Sequence, residues 1–333
     1  MTSKAGYEML KLLNILMLCT LILSPVIAQA QGGLLDELEE EDPCSVQLLA
    51  EVSAFQPGVP FQLGVWVQPI PGWHGYWHSP RDGGDPPEVF WELPKGWKVS
   101  DPSFPAPQRM MEPGDLIAYG YKQPFMLLFT ATPPKVSDQQ KKAESSRELV
   151  LLQANVTWQV CKSTCIYGES EISLELKPAD QLQVNAESQI KIRGWAESIP
   201  LKKVPKGYMV SQEWIPAVEK GSIRGRWVLR WARKGTDRRP AVPLSWQIYP
   251  HALVGGLVEE AKPVDWIPDP VAHPGYFRGK QVTFVVKDVD QGFHPGLLGA
   301  TMVPSPGKAI GPVSGYPAFE IRGKKPTERT GSD

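Results

Sequence analysis

The sequence predicts a mostly β protein made of two β-sandwich domains, and three observations carry that expectation. Proline and glycine number 34 and 30 in a chain of 333 residues, so turn formers recur every few positions and leave little room for long helices. Several stretches alternate apolar and polar residues with the two-residue period of a half-buried strand. These stretches fall into two groups, residues 44–178 and 205–322, joined by a linker over residues 179–204.

Each segment follows in order. Lys4 and Lys11 precede a mostly apolar run from Leu12 to Ile27, and Ala28-Gln29-Ala30 supplies a small-x-small cleavage site. Residues 1–30 therefore read as a cleaved signal peptide and the chain as an exported protein. Asn14 and Pro25 leave the run short of the about 20 apolar residues that a membrane span needs. Cys19 lacks the small preceding residues of a lipid-modified cysteine and departs with the signal. Residues 31–43 form an acidic leader, with six carboxylates between Asp36 and Asp42. The formal net charge of −1 argues against a nucleic-acid partner.

In the first domain, strands are expected at Phe61 to Val67, Phe125 to Ala131 and Leu149 to Val160. The last places Val150, Leu152, Ala154, Val156, Trp158 and Val160 on one face and runs straight into Cys161. Ile172, Leu174 and Leu176 alternate again after Cys165, so a second strand follows. The polar stretch between Thr132 and Arg147 reads as a mobile loop. Residues 186–198 suit a short bridging helix, with Ile190 and Trp195 as its apolar contacts. Alternation around Trp227, around Val242 to Ile248 and over Gln281 to Val289 gives the second domain its strands. Residues 323–333 are a polar, disordered tail.

Cys161 and Cys165 carry the chemistry. An extended chain would hold their Cα atoms about 13 Å apart, against the roughly 5.5 Å of a disulfide, so the backbone must turn at Lys162-Ser163-Thr164. The alternating flanks favour a tight hairpin-like loop. As a static staple so short a ring is worth only about 2 kcal/mol, against about 4.7 kcal/mol for a loop of 100 residues. Exchange chemistry is the stronger reading, and Lys162 favours a neighbouring thiolate through its charge. Cys44 reads as a small buried residue or an intermolecular partner.

These residues have company. The run Pro71-Gly72-Trp73-His74-Gly75-Tyr76-Trp77-His78-Ser79-Pro80, then Asp82-Gly83-Gly84, Pro86-Pro87, Trp91-Glu92-Leu93-Pro94, Tyr119-Gly120-Tyr121 and Trp158 before the cysteine pair, resembles the amino-terminal periplasmic domain of DsbD-type thiol:disulfide interchange proteins, in the branch that includes ScsB. Trp246-Gln247-Ile248-Tyr249-Pro250 and Gly296-Leu297-Leu298-Gly299 resemble pieces of that branch's second β domain. The resemblance implies an immunoglobulin-like first domain. It also implies a Cys161/Cys165 pair that takes electrons from a membrane-embedded thiol reductase and passes them to oxidised periplasmic proteins, with no cofactor. Under it Cys161 is the more exposed attacking thiol and Cys165 the resolving one. Tyr119 and Gly120 match part of a loop capping the cysteines, and His74 and Tyr76 match aromatic positions near them. Trp73, Tyr76, Trp77 and Tyr119 would wall the site. Three departures stand out: only three residues separate the cysteines, Tyr167 replaces a proline, and Ala118 stands where a capping Phe would shield the disulfide. With neither a multi-helix membrane portion nor a thioredoxin-like domain in the sequence, electrons are expected from a separate protein.

Two other functions fit some of the same residues. His74 and His78 with Cys161 and Cys165 make a soft donor set for copper or zinc, although histidines at i and i+4 of an extended segment do not converge without a turn. Alternatively the two domains form a non-catalytic adaptor whose disulfide is structural. Phosphate-binding, zinc-protease and nucleophile-elbow motifs are missing.

Overall fold

The computed structural model describes residues 42–135, 148–219, 222–235, 246–251, 257–258, 262–269, 271–276, 279–289, 298–304 and 318–322. The expected signal peptide, nearly all of the acidic leader, most of the polar loop after Thr132 and the tail lie outside the described residues, as do Cys19 and His294.

The described chain is mostly strand. In the first region a four-stranded sheet runs β1 (Cys44–Ala50), β3 (Phe61–Pro69), β9 (Phe125–Thr132) and β6 (Lys98–Val99). The facing sheet has β12 (Gln183–Val184), β2 (Val52–Phe55), β11 (Cys165–Pro178), β10 (Val150–Cys161), β4 (His74–Arg81), β8 (Leu116–Tyr121) and β7 (Gln108–Glu112) in that order, and β5 (Glu88–Glu92) also pairs with β10. Leu63, Val65, Phe125 and Phe129 from one sheet and Leu152, Val156, Trp158 and Ile172 from the other fill one core, which makes an immunoglobulin-like sandwich. The alternation foreseen along β10 is observed: Leu152, Ala154, Val156, Trp158 and Val160 are all buried on its inner face. Cys44 is a small core residue, 1% exposed.

Between the regions, α1 (Ala186–Ala196) lies inside the expected bridging helix. The Asn185 side chain caps its N-terminus by accepting from the Ser188 amide at 3.2 Å, Glu187 and Arg193 suit the dipole at the two ends, and Ile192 packs on Met126 and Leu128 of β9. The contact differs from the expected one at Ile190, which is 74% exposed. Residues 179–204 thus cover a sheet face as well as join two regions.

The second region pairs β13 (Tyr208–Glu219), β14 (Ser222–Arg233) and β18 (Gly279–Val289), with β16 (Leu257–Val258) and β17 (Val264–Trp266) on β18. Against it stand β15 (Trp246–Pro250), β19 (Gly299–Pro304) and β20 (Phe319–Arg322). Trp227, Leu229, Val282 and Phe284 from the larger sheet and Trp246, Ala300, Met302 and Phe319 from the smaller form a second core. The regions meet through rings: Tyr249 lies 6.3 Å from Trp77 and 5.0 Å from Tyr119, both on the inner face of the first region. A single compact unit spans Pro43–Asp333. Among the described residues no helix is long and apolar enough to cross a membrane.

Candidate redox site

β10 and β11 pair residue for residue from Val150↔Leu176 to Cys161↔Cys165, so the expected turn at Lys162-Ser163-Thr164 is the tip of a long hairpin. The Lys162 amide donates to the Thr164 carbonyl at 3.1 Å and closes it. The Cα atoms of Cys161 and Cys165 stand 4.1 Å apart, and the two sulfurs form a disulfide. Because Val160 faces the core, Cys161 and its partner face outward, on the side of the sheet away from the first core.

The two sulfur-bearing residues differ sharply in access. Cys161 is 4% exposed, whereas Cys165 and the residues from Lys162 through Tyr167 are exposed. This reverses the expected order, in which Cys161 was the more open thiol. The reason is position: Cys161 pairs with His74 of β4 on its other edge, while Cys165 stands on the side of the hairpin without that neighbour.

Beneath the disulfide, Tyr76, Met110, Ala118 and Cys161 form a small buried cluster on the outer face. The Tyr76 ring is held in place, since a Cβ at Gly83 or Gly84 would come within 2.7 Å of it. Gly120 serves the same cluster, because a side chain there would strike the Gly75 carbonyl oxygen and Met110. The Tyr76 hydroxyl lies 3.9 Å from Cys165 Sγ and donates to Glu112 Oε1 at 2.8 Å. His74 Nε2 meets the same carboxylate oxygen at 3.0 Å, with the His74 and Glu112 side chains only 14% and 10% exposed. Burial, reinforced by the Glu112 carboxylate, pushes the Tyr76 phenol well above its ordinary range, so the hydroxyl keeps its proton. Lys162 lies at the tip beside Gly72, where a Cβ would stand 3.5 Å from Lys162 Cε, an ordinary van der Waals contact.

Other expected wall residues lie elsewhere. Successive residues of a strand face opposite ways, so Trp77 next to Tyr76 and Tyr119 next to Ala118 point into the inner core. Tyr119 belongs to β8 and meets Tyr249, with Arg81 donating to its hydroxyl at 3.3 Å; it is not part of a cap over the cysteines. Trp73 packs against the inner core as well. His78 leaves its strand's outer row at an irregular register between Tyr76 and Arg81, and its ring sits 5.3 Å from that of His251. His74, His78, Cys161 and Cys165 are therefore not assembled as a donor set, and no group of three or more potential ligands forms among the described residues.

Sequence reasoning missed Met110 and Glu112. Their strand, Gln108–Glu112, is short and mixed in character, but the Pro113-Gly114-Asp115 turn before Leu116–Tyr121 signals a hairpin. Gly114 and Asp115 take positive φ values of 82° and 59°, as that turn demands.

Comparison with known proteins finds a family and solved structures that this chain resembles. Residues 45–177 match the family described as thiol:disulfide interchange protein DsbD, N-terminal. The chain is also similar to the solved N-terminal periplasmic domain of ScsB from Proteus mirabilis, at 17% identity and a TM-score of 0.54, over 86% of this chain and 94% of that one. At that identity the second match speaks for the fold. A search of curated proteins finds no match.

Proposed function

We propose that residues 45–177, which match the DsbD amino-terminal family, make this chain a periplasmic thiol–disulfide interchange module that passes electrons from a membrane-embedded reductase to oxidised proteins through Cys161 and Cys165. The observation that carries the reading is a disulfide at a hairpin tip with one sulfur-bearing residue exposed and the other buried. A partner's thiolate attacks Cys165 Sγ, a partner–Cys165 bond forms, and the Cys161–Cys165 bond breaks with its electron pair left on Cys161. A second partner thiolate then attacks the partner's own sulfur in that mixed disulfide. The partner closes its disulfide and Cys165 leaves as a thiolate, so two electrons and, after protonation, two protons rest on the pair. The same steps in reverse deliver them to an oxidised protein, with Cys165 attacking and Cys161 resolving.

Trapping tests this. Cys161→Ala keeps the exposed nucleophile and removes the resolving thiol, so it should accumulate reductant-sensitive mixed disulfides in the exporting cell. The Cys161→Ala/Cys165→Ala double variant should show none. Absence of adducts from both variants, with the protein exported and folded, would leave a structural disulfide and favour the adaptor reading.

A further inference from the structure

One hydroxyl proton at this site has two possible acceptors. Tyr76 gives it to Glu112, at 2.8 Å, and the alternative acceptor, Cys165 Sγ, stands 3.9 Å from the same oxygen. In the disulfide the sulfur is a weak acceptor, so the carboxylate holds the proton. A Cys165 thiolate would compete for it, because hydrogen bonds to an ionised acceptor are roughly twice as strong as neutral ones. We propose that Glu112 is a positioning residue that withholds the Tyr76 hydroxyl from Cys165, and thereby keeps this sulfur a thiol until a partner engages it. The proposal rests on the interchange reading above and adds a regulator to that site.

Three features support it. The Tyr76 ring is 0% exposed and pinned by Gly83, Gly84, Met110 and Ala118, so the hydroxyl oxygen cannot move far while its hydrogen can turn. Glu112 is nearly buried, so its charge acts on the sulfur with little solvent screening. His74, at the same carboxylate oxygen, is bonded to Glu112 and not to the sulfur. Around them, β8 offers only Ala118 and Gly120 to the cluster, β11 presents Tyr167, which donates to Asp85 at 3.0 Å, and the hairpin tip carries Lys162. Removing the Glu112 charge should therefore free the hydroxyl for a thiolate. A thiol more readily ionised in the reduced state also makes the couple more oxidising.

The experiment is the pH dependence of Cys165 alkylation by iodoacetamide in the chemically reduced full chain, with Cys161→Ala as background so that one thiol of the pair is read. Glu112→Gln should raise the rate at pH 7 about five-fold and leave the plateau at high pH unchanged, because Gln is close in shape but uncharged. Tyr76→Phe alone should leave the rate at pH 7 near the parent value, because Glu112 already holds the hydroxyl, and Glu112→Gln/Tyr76→Phe should lose the gain of the single variant, a coupling that a merely structural role would not produce. A folded Glu112→Gln profile that superimposes on the parent, or a gain that survives Tyr76→Phe, overturns the proposal. If Glu112→Gln does not fold, Glu112→Asp, which draws the carboxylate back by one methylene, with and without Tyr76→Phe reads the same coupling: a gain that requires Tyr76 supports the proposal, and a profile indifferent to Tyr76 overturns it. Since the protein is reduced chemically, this result stands apart from the trapping experiment. Tuning without trapped adducts would sink the interchange reading alone, and adducts without tuning would sink this inference alone.

Discussion

β10–β11 and β13–β14 are both antiparallel hairpins of 12 residue pairs, and each seats an indole over a glycine of the opposite strand, Trp158 over Gly168 and Trp214 over Gly225. In both an indole N–H is also tied across the hairpin, Trp158 to Ser170 at 3.0 Å and Trp227 to Gln212 at 3.1 Å. They diverge at their last residue pairs, Cys161↔Cys165 in one and Glu219↔Ser222 in the other. They diverge as well in their polar company. Groups that can give or take a proton, Tyr76, Glu112 and His74, surround the first tip, whereas the second hairpin ties Arg230 to Glu213 at 2.8 Å and to Gln281 at 2.7 Å. A shared scaffold thus serves two purposes, and the residues that differ mark where chemistry can occur.

The strongest way to break the comparison is to uncouple the regions. Trp77 is fully buried, belongs to the first core and reaches the second region's Tyr249 and His251. Trp77→Ala should cost about 4 kcal/mol, the usual range for deleting a buried indole. It should also split a single calorimetric transition into two, because each region keeps its own core. One unshifted transition would mean that the ring contacts couple nothing.

Next in size is the indole-on-glycine device. Gly168→Ala and Gly225→Ala should each destabilise by about 2 kcal/mol, since the new methyl overlaps an indole and forces it to shift. Their effects on thiol exchange should differ. Gly168→Ala displaces the hairpin that carries the disulfide and should slow exchange with a small-molecule thiol, while Gly225→Ala should leave the rate at the parent value. Equal slowing in both would show that the two hairpins move together.

Reducing the disulfide is smaller still. A five-residue ring removes little freedom from the unfolded chain, so reduction should cost the first region about 2 kcal/mol at most and the second nothing measurable in denaturant unfolding. A much larger loss would mean that the bond is chiefly a staple.

These contrasts also show what was legible in advance. Period-two alternation exposed β10, which buries Leu152 through Val160 on one face, and the stretch of β11 around Ile172 and Leu176, and the spacing of the cysteines demanded the turn that joins them. β4 escaped notice because glycine, proline and two histidines dilute its pattern, although it supplies both His74 and Tyr76. Of the residues singled out by motif resemblance, His74 and Tyr76 stand beside the sulfurs and Gly120 lies against the cluster beneath them, while Tyr119 faces the inner core, since only the register of β8 against β4 decides which of two neighbouring residues faces outward. Which cysteine is exposed depended on the pairing of Cys161 with His74, a long-range contact without a local signal. Glu112 was hidden for a related reason: β7 reaches the site through its pairing with β8.

The smallest expected effect tests the junction of the two regions through pH. Desolvation, followed by the neighbouring His251, pushes His78 down to about 4, and desolvation, followed by Arg322, pushes His251 down to about 4, with Glu320 opposing the shift of His78. Both values lie below the ordinary 6.5, so the unfolded chain takes up these protons before the folded one does. Stability from this source is therefore intact above about pH 6.5, declines as the pH falls from there to about 4, and is flat below. Allowing for solvent access to both rings, the loss is about 1 kcal/mol per histidine, or roughly 2 °C each in melting temperature. His251→Gln should remove its share of the slope between pH 7 and pH 4.5, and because the junction lies away from the disulfide it should leave the pH profile of Cys165 alkylation unchanged. A variant with the parent's full slope would place the acid sensitivity elsewhere, and an altered alkylation profile would show that the two regions communicate through Trp77 and Tyr76 after all.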